Sequence, residues 1–392
     1  MNHIETVVIS KLETRANANI GRIQLNKPSS LNALDLKMVK AILEQLQAWQ
    51  HDNSIAAVFI DSCLEKAFCA GGDIVSMYTA MSKEAKNNPE DLPDFMAEFF
   101  ATEYRLDYCI HAYPKPIIAW GSGIIMGGGL GVFAGSHLKI VSETARVAMP
   151  EISIGLFPDV GASYFLNKMP KGVGKFLGLT ASSVNAKDCI DIGIANHLIL
   201  NQEKLNFITQ LQALEQIDMQ SIRKTCEALQ SNDSSNIPVP TIAPLFDTLA
   251  VLEEMQSLAD IENYLRTLIQ GKELQLNQIT YLQKALDNYC YGSPITAKLV
   301  VEQLKRGNKL KLADCFRMEL NMAYRCSING EFQEGVRALL IDKDKSPKWH
   351  YKSHTDVPDS VIEKHFTFLC ESEKQGLGNL EQQFGVHNDS RE

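Results

Sequence analysis

The sequence predicts an α/β fold that carries a further helical region toward its C-terminus. Three observations lead there. Short β-rich runs alternate with helix-period segments through the first half of the chain. Two glycine-dense loops each come after an apolar run of strand length, and long helical patterns fill the chain beyond a Ser/Asn/Pro-rich stretch.

The elements come in this order. Ile4–Leu12 and Ile20–Leu25 read as strands joined across a polar Asn/Ala loop. Asn26-Lys27-Pro28-Ser29-Ser30 is a loop by composition, and Asp35 stands where an N-cap belongs. Leu36, Val39, Leu43, Leu46 and Trp49 then share one helical face. Ile55–Ile60 is an apolar run of buried-strand length, followed by a loop that ends Cys69-Ala70-Gly71-Gly72-Asp73. Residues 81–94 form a charged, Pro- and Asn-containing stretch expected to be mobile, and a helix is expected from Asp94 to His111. Ile117–Trp120 and Leu138–Val141 are short strands bracketing the second glycine cluster, and 171–230 reads as mainly helical.

Ser231–Pro244 is the natural linker. The expected division is therefore a core over 1–230, a linker over 231–244, a helical region over 245–370 and a polar tail over 371–392. Within the helical region the patterns run over Leu245–Leu258, Asp260–Gln270, Pro294–Arg306 and Leu310–Asn329.

Composition excludes several classes. Of 392 residues, 45% are hydrophobic, enough to bury a sizeable core without disulfide or metal staples. A formal charge of −9 has the wrong sign for a general nucleic-acid or acidic-membrane binder. No apolar run approaches the roughly 20 residues of a membrane span. The acid-containing start resembles neither a secretory signal nor a transit peptide, so a cytoplasmic protein is expected. Nine scattered cysteines without a CxxC suggest neither a zinc framework nor a disulfide lattice. His350 and His354 have HxxxH spacing, but Tyr351 stands where a zinc protease needs Glu, so no metal is expected.

Three segments could carry chemistry. Ala67–Asp73 and Gly121–Gly131 are loops whose glycines let backbone N–H groups approach a ligand, although the same glycines suit tight helix–strand packing. Met126 breaks the dinucleotide fingerprint, no Gly-Lys-Ser/Thr completes a P-loop, and GxSxG is absent. The third segment, Met149–Gly161, sets Glu151 and Asp159 among apolar neighbours, where a carboxylate is costly unless paired or used. The competing reading is that Glu151 begins a helix and Asp159 caps one. Cys69 reads as a buried small hydrophobe.

Taken together, Leu25–Pro28 with Leu31–Leu34, then AFCAGGDI (Ala67–Ile74), the MGGG run and MPE…GLFPDVG resemble the crotonase (enoyl-CoA hydratase/isomerase) superfamily. Within it the likeness is closest to the 3-hydroxyisobutyryl-CoA hydrolases. It extends through Phe100–Tyr104 and on through Met318-Glu319 and Glu334–Trp349. The resemblance implies a ClpP-like ββα spiral core that binds acyl-CoA, followed by helices. It implies an oxyanion hole from the N–H groups of Gly72 and Gly128, a catalytic Glu151, and Asp159 holding the substrate's 3-hydroxyl or a water. Glu103 matches a substrate-contacting position, though it also reads as an exposed helix acid. Lys27, Ser29 and Ser30 match the CoA nucleotide site, with Lys27 free to meet a phosphate, and Gly71, Asp73 and Ile74 border the adenine.

Hydratases of the superfamily carry a second glutamate where this chain has Gly131, and glycine where it has Asp159. The resemblance therefore implies hydrolysis of a short 3-hydroxyacyl-CoA, 3-hydroxyisobutyryl-CoA of valine catabolism first. A hydratase/isomerase and a non-catalytic scaffold are the alternatives. No separate cofactor is implied, since coenzyme A is part of the substrate. No nucleic-acid or membrane partner is implied, and a homo-oligomer is compatible with the family.

Overall fold

The computed structural model describes residues 5–84, 91–230, 234–367 and 376–387. Strands β1 (Val7–Leu12) and β2 (Asn19–Leu25) pair antiparallel with Val7 opposite Leu25, forming the expected hairpin. Helix α1 (Leu36–Gln50) begins where Asp35 accepts the Met38 N–H at 2.9 Å, satisfying one of the otherwise unpaired N–H groups of the first turn. Strand β3 (Ile55–Ser62) runs parallel to β2, and β4 (Ala67–Cys69) leads into α2 (Ile74–Glu84). Of the 81–94 stretch, α2 takes the first residues, and 85–90 lie outside the described residues.

Helix α3 (Asp94–Ala112) is followed by β5 (Ile117–Gly121), β6 (Ile124–Met126), α4 (Gly128–Ala134), β7 (Leu138–Val141) and β8 (Arg146–Ala148). A 3-10 turn, Glu151–Ile154, comes next, then α5 (Ala162–Phe165), α6 (Val173–Thr180), β9 (Val184–Asn185), α7 (Ala186–Asp191) and β10 (His197–Leu198). Two sheets result. One has the order β1-β2-β3-β5-β7-β10 and the other β4-β6-β8-β9.

Alternation along β3 distributes its side chains to two cores. Val58 and Ile60 enter the main core and Ala57 and Phe59 a second, smaller one, while Ile55, before a register shift against β2, joins the main core. Burial on both faces explains why this strand is an apolar run and not an alternating one. The second core is closed by α8 (Lys204–Gln212) and α9 (Met219–Leu229). There Phe207 packs against Phe59 and Trp120, with ring centroids 6.0 and 5.4 Å apart. Full burial of a side chain the size of Phe207 is worth roughly 1.5–3 kcal/mol.

The C-terminal helices are α10 (Phe246–Ala250), α11 (Leu258–Gln270), α12 (Leu276–Tyr291), α13 (Pro294–Gly307), α14 (Leu312–Ile328), α15 (Glu331–Val336) and α16 (Asp359–His365). They join the main core: Leu299, Phe316 and Phe332 belong to the same cluster as Val58 and Phe99. The stretch read as a free linker is anchored as well, since the Asp188 carboxylate accepts the N–H groups of Thr241 and Ile242 at 2.7 and 2.9 Å. The expected helix over Leu245–Leu258 is instead α10 and a 3-10 turn, Val251–Glu253. The polar tail also departs from expectation. Over 376–387 it buries Leu377, Leu380 and Phe384 and contains a short helix, Leu380–Phe384, held by Arg105 of α3 through Asn379, Gln383 and the Gly376 carbonyl. Among the described residues no helix is long and apolar enough to cross a membrane.

Candidate active site

Sheet order brings the three chemistry-bearing segments together. Strands β4, β6 and β8 are parallel neighbours, with Cys69 beside Ile125 and Met126 beside Ala148. Adjacent strands lie about 4.8 Å apart, so the residues just beyond their C-terminal ends are held side by side. Those residues are Gly71-Gly72, Gly127-Gly128 and Pro150-Glu151. Ligands in α/β sheets gather outside the carboxyl ends of strands for this reason.

Both glycine turns need unusual backbone. Gly71 has φ +113° and Gly127 φ +49°, a region that side chains disfavour. The Leu34 N–H donates to Gly71 O and the Asp73 N–H to Leu34 O, both at 2.8 Å. This parallel bridge turns the intervening Gly72 N–H away from Leu34. Gly128 opens α4, where first-turn N–H groups have no intrahelical acceptor. The two turns are in close approach, and a Cβ on Gly128 would lie only 3.6 Å from Gly72 N.

Carboxyls surround these turns. Glu151 does begin the 3-10 turn, and it is buried, with Oε1 3.0 Å from where a Cβ on Gly127 would sit and Oε2 without a hydrogen-bond partner among the described residues. Glu103, on α3, is not the exposed acid that sequence allowed: it is buried, and a Cβ on Gly128 would overlap its Oε1. Asp159 caps nothing with its side chain. Its Oδ2 accepts the Tyr104 hydroxyl at 2.8 Å, while its backbone carbonyl accepts the Ala162 N–H.

Burial, followed by mutual repulsion, sets the protonation of this group. Desolvation and then the Asp159 charge hold Glu103 well above the usual carboxylate range. Desolvation, Asp159 and Glu103 do the same to Glu151. Burial also raises Asp159, but the Tyr104 hydroxyl and a backbone N–H oppose it, and it stands at about 7. Like charges in one low-dielectric site cannot all ionise together.

Several residues missed by sequence reasoning shape the site. Asp107, one turn beyond Glu103, lies against Gly131, where a Cβ would sit 2.9 Å from its Oδ2 and 2.6 Å from Val160 Cβ. A side chain at 131 has no room. Glu319 of α14 accepts the Gly161 N–H at 2.7 Å and the Ser163 N–H at 2.8 Å, and Gln303 of α13 donates to Pro158 O at 2.5 Å. The C-terminal helices thus hold the loop that carries Asp159. Helical spacing of 103 and 107 is the available signal for Asp107; Glu319 lies in the Met318-Glu319 stretch of the family resemblance, which gives it no role, and no local signal marks Gln303.

The expected nucleotide-binding residues cluster along one edge. Lys27 is not free: its Nζ contacts Asp35 Oδ2 at 2.9 Å and Asp73 Oδ2 at 3.3 Å. Burial alone would lower its pKa, but the two carboxylates outweigh this and the net shift is upward. Ser29 is exposed and Ser30 half-buried, and Gly72, Asp73 and Ile74 are half-buried beside the buried Gly71. Cys69 Sγ points to Asn32 O at 3.0 Å, and burial pushes its thiol up to about 12, which suits a packing role. Among the described residues no group of three or more His, Cys, Asp or Glu side chains is arranged to hold a metal ion.

Residues 20–366 match the family described as enoyl-CoA hydratase/isomerase. A relative from Danio rerio named 3-hydroxyisobutyryl-CoA hydrolase, mitochondrial, is 33% identical over 90% of this chain and 88% of its own length. One of the same name from Homo sapiens is 34% identical over 90% and 87%. Among solved structures, a carnitinyl-CoA dehydratase from Mycobacterium thermoresistibile superposes with a TM-score of 0.81 at 28% identity, covering 94% of this chain and 98% of that one. An enoyl-CoA hydratase from Rhodobacter sphaeroides gives 0.78 at 30%, covering 93% and 98%. With a family match across most of its length and relatives this similar, the chain belongs to the enoyl-CoA hydratase/isomerase family.

Proposed function

We propose that the protein hydrolyses a short 3-hydroxyacyl-CoA thioester, with 3-hydroxyisobutyryl-CoA as the first substrate to test and 3-hydroxyisobutyrate and CoA as products. The observation that carries this reading is the close approach of the Gly72 and Gly128 turns, with Glu151 beside them, at the ends of three adjacent parallel strands. In it, the thioester oxygen sits between the two N–H groups, which are fixed before the reaction starts. Fixed donors stabilise the charge that develops on that oxygen without reorganisation. Ionised Glu151 either attacks the carbonyl carbon, giving an anhydride that water opens, or takes a proton from the attacking water. Asp159, steadied by Tyr104, holds the 3-hydroxyl or positions the water, and Glu103 borders the acyl group beside Gly128.

Lys27, Ser29, Ser30, Gly71, Asp73 and Ile74 are proposed to seat the CoA nucleotide. The Lys27 ammonium would exchange part of its pairing with Asp35 and Asp73 for phosphate. The lack of room at Gly131 favours hydrolysis over a hydration that needs a second carboxylate from that position. Relatives named as hydrolases over nearly the whole chain support the same choice, and a place in valine catabolism is a further proposal. A cytoplasmic location and a homo-oligomer are further proposals; the relatives are named mitochondrial, and cell fractionation and light scattering test these two points.

The deciding assay is release of free thiol from 3-hydroxyisobutyryl-CoA. Steady release supports the reading; no release, together with loss of crotonyl-CoA absorbance, would instead identify a hydratase.

A further inference from the structure

One face of α3 carries Glu103, Asp107 and His111 at successive turns, and each meets a glycine of the facing segment. A Cβ on Gly128 would overlap Glu103 Oε1, and one on Gly131 would stand 2.9 and 3.0 Å from the Asp107 oxygens. One on Gly135 would stand 2.9 Å from His111 Cδ2 and 3.2 Å from its Nε2. Positions three or four apart share one side of a helix, so the titratable stripe and the glycine stripe match turn for turn.

All three side chains are buried, and neither Asp107 oxygen nor Glu103 Oε1 has a hydrogen-bond partner among the described residues. Leaving a buried polar group unsatisfied costs about 1–3 kcal/mol, and an apolar side chain would fill the same space without that cost. The stripe starts at the proposed oxyanion glycine, Gly128, and leads outward. At its far end the His111 ring stands edge-on to that of His387, centroids 5.4 Å apart, and His387 Nδ1 lies 3.1 Å from the His111 carbonyl oxygen. His387 itself is half-buried.

Thioester hydrolysis supplies a reason for such a path. A water oxygen bonds to the acyl carbon as the C–S bond breaks. One water proton ends on the CoA sulfur, and the other is freed when the product acid ionises. One proton per turnover must therefore leave a pocket walled by carboxyls. Resting on the hydrolase reading, we propose that Glu103, Asp107 and His111 form a relay that carries this proton away from the acyl pocket to His387, at the partly exposed end of the stripe. Each group accepts a proton on one side and gives one up on the other, directly or through one water. The chain of groups returns to its starting state after every turnover, so no co-reactant is needed.

The groups that face the stripe fit this role. Asp159 from the 157–161 loop and Glu319 from α14 set further carboxyl groups near Asp107, and Phe316 of α14 covers the His111 ring. Burial first, then Glu103, Asp159 and Glu319, push Asp107 well above the usual carboxylate range, which favours a form able to donate.

The test is kinetic. His111→Ala opens a ring-sized space beside His387, and kcat should fall about tenfold with KM unchanged. Imidazole in the buffer should restore most of the loss, whereas pyrazole, equal in shape but unprotonated near neutrality, should not. Equal rescue by both rings, or an unchanged kcat, would overturn the relay. Asp107→Asn keeps the side-chain shape and gives a second test should the first variant not fold. It should lower kcat and enlarge the solvent deuterium isotope effect; wild-type values for both would likewise overturn it. A wild type that releases no thiol removes the hydrolase reading and the relay with it, while an active wild type with unaffected variants removes the relay alone.

Discussion

The Tyr104 hydroxyl donates to Asp159 Oδ2 at 2.8 Å, giving this one acid of the site a side-chain partner that neither Asp107 nor Glu151 Oε2 has among the described residues. A hydrogen bond to the charged form lowers a carboxyl's pKa, so this contact opposes the burial that lifts Asp159 to about 7. Tyr104→Phe should move Asp159 further up. If the ionised form serves turnover, the acid limb of the kcat/KM–pH profile shifts to higher pH by roughly one unit, or about 1.4 kcal/mol. A limb that stays in place, or moves down, would show that Asp159 does not govern it.

Glu151→Gln removes the only group in the site proposed to attack or to activate water, while keeping its shape. Thiol release should fall by roughly 10²–10⁴-fold, with CoA affinity by calorimetry unchanged. In the wild type, burial with the Asp159 and Glu103 charges holds Glu151 above the usual range. Activity should therefore climb as pH rises and the ionised fraction grows. Full turnover in the variant would exclude the role.

Gly128→Ala probes the close approach of the two glycine turns. Gly128 does not have positive φ, so alanine suits the backbone, and what changes is the site: its Cβ overlaps Glu103 Oε1 and stands 3.6 Å from Gly72 N. Alanine keeps its N–H, so the donor remains, but the methyl fills the space beside both N–H groups; blocking that space should cost about as much as losing one donor, roughly 10²–10³ in kcat. We expect a loss in that range with an unchanged melting temperature, measured by thiol release and circular dichroism. A variant at full rate would move the oxyanion site elsewhere.

Stability should depend on pH in a particular direction. Asp159 stands at about 7 and Glu319 at about 8 in the folded chain, against roughly 4 when unfolded. Above pH ~4 the unfolded chain has released these protons while the folded chain keeps them, so stability falls with rising pH until each folded-state value is passed. Melting temperature should accordingly decline between about pH 4 and 8 through these groups, and Asp159→Asn should flatten the decline. An equal slope in that variant would rule out Asp159 as a source.

Much of this site is legible in the sequence because it is local. The Asp35 cap, the glycine turns and the Pro150-Glu151 step each lie within a few residues of the strand or helix that they terminate. Helix α12 escapes a periodicity reading because its buried residues, Leu282, Ala285, Leu286 and Tyr289, begin only after its first six positions. Other features depend on partners far along the chain. Lys27 meets Asp73 after 46 positions, and Glu319 meets Gly161 after 158. Neither pairing leaves a periodicity or composition to read. The tail likewise offers only Leu377, Leu380 and Phe384 among polar residues, too few to reveal that it docks on α3.

Glu319 gives the sharpest test of what the C-terminal helices do for the site. Its two carboxylate oxygens accept the Gly161 and Ser163 N–H groups, immediately beyond Asp159 and Val160, whose φ of +54° needs support. Glu319→Gln keeps the volume but turns one acceptor into a donor facing an N–H. One hydrogen bond is lost and a buried donor is left unpaired, at a cost of about 1–3 kcal/mol. Denaturant midpoints should drop accordingly. As the loop relaxes, Asp159 should lose its alignment with Tyr104, so kcat/KM should fall as well. Leu304, in the core of α13, provides the comparison: Leu304→Ala should destabilise to a similar degree, about 2–5 kcal/mol, without touching the loop. If both variants lose stability but keep equal kcat/KM, the C-terminal helices stabilise the fold without aligning Asp159.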